Sequence, residues 1–320
     1  MDLLKLISDI EKVDPEVYER LNPRRRVFRH FGLAGKAVTA AMLPGLVSGI
    51  FQRAYGQTTA LTPEIIAVLN LALSLEYLEF YFYDSGLKAT IPTQLIPATD
   101  RPAFETIRND ESGHIKVLRE VLGSAAIPDP TVSAFDYTGG RGVLPGPFAT
   151  VFTDYKMFLG VAQSFVDTGV RAYKGGAPVL MPNKDILESA LNIHSVEARH
   201  SSHVRTVRRA VEGGNPSNGT TLAGNLSNLN KIPKSWISGI DNGGPSPDTN
   251  PSTRPVYDRG NPEAMYPAES NTTQAGANII NTAAGITAVA ASEAFDEPLD
   301  PTTVKSIARN FVKSTTNLFV

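Results

Sequence analysis

Asp110-Glu111-Ser112-Gly113-His114 and Val196-Glu197-Ala198-Arg199-His200 are two copies of one pattern, Glu-x-x-His, set 86 positions apart. Three residues along a helix turn through about 300°, so the Glu and the His of each copy stand about 60° apart on one face. The frame repeats with the pair. Ile107, Leu118, Arg119 and Val121 correspond to Ile193, Val204, Arg205 and Val207 at the same offset. Each pair therefore lies within an apolar stripe that turns toward a core. A Glu and a His in such a place are badly desolvated unless they are paired or bind a metal. A single Glu-x-x-His says little, because a solvated helix face carries one equally well. Two copies in matching apolar frames point to ligands, the bland alternative being a vestigial polar cluster hydrogen-bonded in a metal-free core.

The helices that precede these segments repeat too, at an offset of 90. Ala72, Ser74, Leu75, Tyr83 and Gly86 correspond to Ala162, Ser164, Phe165, Tyr173 and Gly176. The chain thus reads as two helix pairs related by duplication. Helical periodicity covers 57–126 and 148–212. Between them, Pro128, Pro130, Gly139, Gly140, Pro145 and Pro147 mark 127–147 as a long crossover loop. Four helices with one long crossover form a bundle whose facing side chains can build a metal site.

Working outward, 213–260 is dense in Gly, Pro, Asn and Ser and low in apolar periodicity. It reads as irregular structure laid over the bundle or partly disordered. The tail ends in one more helix. Asp300 suits the N-cap and Pro301 the first helical position, and Val304, Ile307, Ala308, Phe311 and Val312 form one stripe. At the other end, Arg25-Arg26-Val27-Phe28 precedes an apolar stretch from Leu33 to Phe51, and Ala54-Tyr55-Gly56 offers small residues before Gln57. This resembles a twin-arginine export signal, which implies a periplasmic protein; an uncleaved amphipathic arm on a cytoplasmic protein is the alternative. The apolar stretch contains Lys36 and Pro44 and is short for a membrane span, so membrane contact is expected only through 1–56 if that segment is uncleaved. The reading divides the chain into 1–56, a bundle over 57–212 and an extension over 213–320.

Composition narrows the chemistry. Among 320 residues the formal net charge is −2, which gives no electrostatic basis for a nucleic-acid partner. Cysteine is absent, which excludes disulfides, thiolate metal sites and cysteine nucleophiles. A metal site here must use Asp, Glu, His and oxygen donors, which suit iron, manganese or zinc. The sequence has no nucleophile elbow, P-loop or dinucleotide fingerprint; Gly139-Gly140 and Gly213-Gly214 lack the strand context those need.

Four stretches carry a resemblance. They are Leu-Asn-Leu-Ala-Leu-Ser-Leu-Glu-Tyr-Leu-Glu from Leu69 to Glu79, Asp-Glu-Ser-Gly-His from Asp110, Gly-Val-Arg-Ala-Tyr from Gly169 followed by Gly-Gly-Ala-Pro, and Ser-Glu-Ala-Phe-Asp-Glu-Pro-Leu from Ser292. Together they resemble the bacterial ferritin-like domain family that also includes the desiccation-related proteins of plants. The resemblance covers most of 60–212 and parts of the tail. It implies an all-α protein: a ferritin-like four-helix bundle with one long crossover, plus an irregular C-terminal extension ending in a short helix. It also implies that Glu76, Glu111, His114, Glu197 and His200 take the ligand positions.

One departure stands out. The offset of 90 sets Val166 opposite Glu76, so the third helix lacks a carboxylate where the pattern wants one. Asp167 is adjacent but about 100° round the helix, Gln163 lies about one turn earlier, and Glu79 lies one turn after Glu76 on nearly the same face. Five groups hold one ion; two ions require bridging by Glu and a further donor from Glu79, Gln163 or Asp167. Tyr83 and Tyr173 read either as core packing or as partners of the site. His194 and His203 read as surface or interface residues, His30 needs no role, and Asp296 and Glu297 fall in a tail turn before Pro298. The expected function is metal binding, with one or two iron or manganese ions and oxidase or ferroxidase-like redox chemistry. The alternative is a non-enzymatic structural or stress-related protein with a degenerate site. A homo-oligomer is compatible with either, whereas a storage cage would have to accommodate a tail of about 100 residues.

Overall fold

The computed structural model describes residues 61–90, 94–212 and 254–320. The reading of 1–56 as an export segment lies outside the described residues, as does 213–253 of the stretch 213–260 read as irregular structure; of the rest, Arg254–Tyr257 is helical.

Four long helices make the bundle: α1 (Pro63–Lys88), α2 (Arg101–Leu122), α3 (Tyr155–Leu180) and α4 (Lys184–Glu212). Local chemistry sets their ends. The Thr62 side chain accepts from the Ile65 amide at 3.3 Å and Pro63 opens α1. At α3, Asp154 accepts from the Lys156 amide at 3.0 Å. That cap places the start of α3 seven residues later than the apolar spacing from Phe148 predicts. Phe148 and Val151 are buried all the same, but in the crossover, where the Phe148 ring stacks on Phe311 at 5.5 Å. By length and composition α1 is apolar enough to cross a membrane, yet most of it is buried as the central element of the bundle.

The duplication is visible in how α1 and α3 cross. A methyl group at Gly86, near the end of α1, would run into the Phe158 ring at the start of α3. At the opposite end, a methyl group at Gly176 would stand 2.8 Å from Val68. Gly176 is the repeat partner of Gly86, and Phe158 that of Val68, at the same offset of 90. The two helices therefore run antiparallel about a pseudo-twofold axis, with a glycine admitting the partner helix at each end. α2 packs mainly on α1, and α4 on α3; α2 and α4 approach one another less closely, which leaves room for side chains between them.

The extension is tied to the bundle. It carries α5 (Arg254–Tyr257), a two-stranded antiparallel ribbon of β1 (Thr273–Gln274) and β2 (Ala277–Asn278), α6 (Ala288–Ser292) and α7 (Pro301–Arg309). Asp300 caps α7 by accepting from the Thr303 amide at 3.0 Å, and Val304, Ile307, Ala308, Phe311 and Val312 are all buried. The main clamp is Arg171 of α3, which is fully buried. Its guanidinium donates to the carbonyls of Glu297 (3.1 Å), Asp258 (3.0 Å), Pro267 (3.0 Å), Pro298 (3.3 Å) and Val256, and it pairs with Glu269 at 2.7 Å. Arg carries five N–H donors in a rigid fork, so one side chain satisfies carbonyls from three separate loop segments.

Candidate metal centre

Glu76 comes from α1, Glu111 and His114 from α2, and Glu197 and His200 from α4, and all five side chains are buried. Glu76, Glu111, His114 and Glu197 each place a ligand atom within 4.8 Å of the others. The Nδ1 atom of His114 lies 3.1 Å from Glu76 Oε2, 3.0 Å from Glu111 Oε2 and 3.2 Å from Glu197 Oε1. His200 stands alongside, its ring centroid 6.2 Å from that of His114. Its Nδ1 lies 3.1 Å from Glu111 Oε1 and 3.5 Å from Glu197 Oε2. Glu111 and Glu197 thus each turn one oxygen toward His114 and the other toward His200.

Burial opposes charge on all of these groups. It pushes Glu76 up to about 8, against the pull of the adjacent His114. Burial also raises Glu111, but hydrogen bonds from His114 and His200 outweigh it and hold this carboxyl below the usual range. Burial would lower His114; the charge on Glu76 and the close carboxylates of Glu111 and Glu197 overcome it and raise the imidazole well above its ordinary value. His200 behaves alike: against burial, its contacts with Asp110, Glu111 and Glu197 push it up to about 12. The cluster holds protons tightly, in places where a divalent cation would displace them.

The surroundings orient the ligands. Nε2 of His200 lies 3.1 Å from Asp110 Oδ2, which fixes the tautomer that frees Nδ1 toward the cluster. Tyr173 of α3 donates its hydroxyl hydrogen to Glu76. Its repeat partner Tyr83 is fully buried, and its hydroxyl has no hydrogen-bond partner among the described residues. The sequence explains the difference, because the residue that would face Tyr83 as Glu76 faces Tyr173 is Val166.

The structure turns two of the less certain ligand candidates elsewhere. Asp167 accepts from Arg205 at 3.2 Å and 2.6 Å, from Ser201 at 2.6 Å and from the Tyr257 hydroxyl at 2.6 Å, so it pins α4 and the extension to α3. Gln163 donates to Tyr257 at 3.3 Å and accepts from Arg208 at 3.1 Å. The repeat anticipates the Asp167 contact: Asp167 is the partner of Tyr77, not of Glu76, and Arg119 donates to Tyr77 at 2.9 Å as Arg205 does to Asp167. Glu79 is buried beside the cluster. Burial first, then the charges of Glu197, Glu111 and Glu76, raise it well above the usual carboxylate range.

His194 and His203 are half-buried rather than surface residues; the His203 ring lies 6.2 Å from that of Phe104. Glu297, just before Pro298 in the tail, is buried and accepts from Asn271 at 2.9 Å and Gln274 at 2.5 Å. Sequence reasoning assigned no role to Asp110 or Arg171. No repeat signal marks Asp110, whose partner at the offset of 86 is Val196. None exists for Arg171, whose partners are mostly backbone carbonyls.

Residues 64–210 match the model of a protein family described as "Ferritin-like domain". No curated protein and no solved structure matches the chain. The matched residues run from the first turn of α1 to the last turn of α4, and they contain every member of the Glu/His cluster. Residues 64–210 of this chain are a ferritin-like domain, with a buried carboxylate/histidine cluster able to hold metal in its core.

Proposed function

We propose that the protein binds iron or manganese in the bundle core and carries out oxidase or ferroxidase-like redox chemistry there. One observation carries the metal reading. A single nitrogen, Nδ1 of His114, has three carboxylate oxygens within 3.2 Å. One N–H or one lone pair cannot serve three anionic oxygens. Buried carboxylates converge in this way where a cation joins them. The donor set, oxygen with imidazole and no sulfur, suits iron or manganese, and these metals supply one-electron steps toward oxygen or peroxide when bound. The chain's own residues divide the remaining work. Glu111 and Glu197 span the two histidines, Asp110 holds the His200 tautomer, and Tyr173 supplies a proton-bearing contact to Glu76. Leu73, Phe82 and Phe158, all fully buried, help keep bulk water out of the core.

The test is aerobic oxidation of iron(II) by protein first stripped with chelator. The expected result is oxidation that saturates with protein-bound iron and outruns the buffer blank. Tight binding without oxidation would leave a metal site and remove the redox assignment. A second reading, a structural or stress-related protein with a degenerate site, draws support from Val166; a fully folded protein that takes up no metal would establish it. We further propose that the chain is exported and that the mature protein begins at or near Gln57, on the strength of Arg25-Arg26 and the small residues Ala54 and Gly56. An intact Met1 on protein isolated from its host contradicts this.

A further inference from the structure

We infer that Glu79 replaces the carboxylate missing from α3, so that α1 alone supplies the terminal carboxylates for two metal ions. The inference rests on the metal reading above and specifies how its second ion is held.

The duplication sets Glu76 against Val166 and Glu79 against Gly169. On α3 both equivalent positions therefore lack a donor. Val166 is fully buried and apolar. Gly169 has a different consequence. A methyl group built there would stand 3.3 Å from Oε1 of Glu79 and 3.5 Å from Oε2 of Glu197. The bare glycine leaves the space into which the Glu79 carboxylate reaches from the opposite helix, close to the side of Glu197 that faces His200. Glu79 is 4 % exposed, and its Oε2 has no hydrogen-bond partner among the described residues. Two buried carboxylates side by side, one with an orphan oxygen, repel unless a proton or a cation lies between them.

Charge agrees with this assignment. Glu76, Glu79, Glu111 and Glu197 carry four negative charges when ionised, which balance two divalent cations with both imidazoles neutral. Without Glu79 the remaining positive charge would be met only by Asp110, a partly exposed carboxylate on the far nitrogen of His200. The two halves then read as Glu76 with His114 and Glu79 with His200, joined by Glu111 and Glu197.

The experiment counts manganese(II) bound per chain by equilibrium dialysis of the full chain, after chelator treatment and under anaerobic conditions. Wild type is expected to bind two ions and Glu79→Gln one, with the affinity of the remaining ion changed less than about threefold. Melting of metal-free Glu79→Gln should be no lower than wild type, because the amide keeps the shape and removes a buried acid. Gly169→Ala keeps the carboxylate and moves Oε1 of Glu79 by only a few tenths of an ångström, so it is expected to weaken the second ion less than Glu79→Gln does. Adding Val166→Glu to Glu79→Gln returns a carboxylate to α3 and should restore two ions. A wild type that binds one ion, or a Glu79→Gln protein that still binds two, overturns the inference and leaves the core site standing. A wild type that binds no manganese, iron or other divalent ion removes the metal reading itself.

Discussion

Glu111→Ala is expected to abolish tight metal binding, lowering affinity by more than about 100-fold, beyond the 10–100-fold usual for groups one step removed from a metal. The reason is geometric. Glu111 is fully buried, and its two oxygens lie 3.0 Å and 3.1 Å from the facing nitrogens of His114 and His200. Among the described residues no other approaches both imidazoles as closely; Glu197 lies 3.2 Å from one and 3.5 Å from the other. Removing Glu111 therefore takes a ligand from both halves of the site at once. Val166→Ala is the matched control. It alters a buried side chain at the same level of the bundle without touching a donor, and should leave affinity almost unchanged. Calorimetric titration with manganese(II) reads both. Equal losses in the two variants would show that the effect is disruption of the core and not loss of a ligand.

Arg171→Met is expected to cost about 3–5 kcal/mol, the range for removing one partner of a buried ion pair. It leaves Glu269 buried without its cation and orphans carbonyls on three stretches of the extension. At this chain size the loss corresponds to a fall in melting temperature of roughly 4–8 °C. The extension should loosen before the bundle does. Limited proteolysis is expected to cut after residue 254 in the variant at protease levels that spare the wild type. Replacing Glu269 by leucine in the same chain should recover part of the loss, because the uncompensated charge is then gone. A melting temperature within a degree or two of wild type would mean that the extension is held by its apolar contacts alone.

These two residues mark where the sequence is and is not informative. The Glu111/His114 and Glu197/His200 pairs are legible because a three-residue spacing on a helix fixes a shared face, and the copy at an offset of 86 fixes which face turns inward. Glu76 is legible through the second offset of 90, and the same offset locates the mutual approach of Gly86 to Phe158 and Gly176 to Val68. The sixth donor was left open among Glu79, Gln163 and Asp167 because helical angle alone does not rank them. What separates them is who else competes for each. Arg205 and Ser201, one turn apart on α4, claim Asp167; Arg208 and Tyr257 claim Gln163; among the described residues nothing claims Oε2 of Glu79. The start of α3 was misplaced because Phe148 and Val151 have helical spacing but serve the crossover, and only the cap at Asp154 reveals the boundary. The role of Arg171 is not legible, since carbonyls from distant loops leave no periodic trace in a sequence.

The central claim is that the Glu76/Glu111/His114/Glu197 cluster with His200 holds metal. The most direct test is anomalous scattering from crystals of protein purified without chelator, with elemental analysis of the same preparation to name the ion. Anomalous peaks bonded to Nδ1 of His114 and to both Glu111 and Glu197 are expected, with iron or manganese near two per chain. Well-ordered crystals with no peak at this cluster, or with metal bound only elsewhere on the chain, would contradict it.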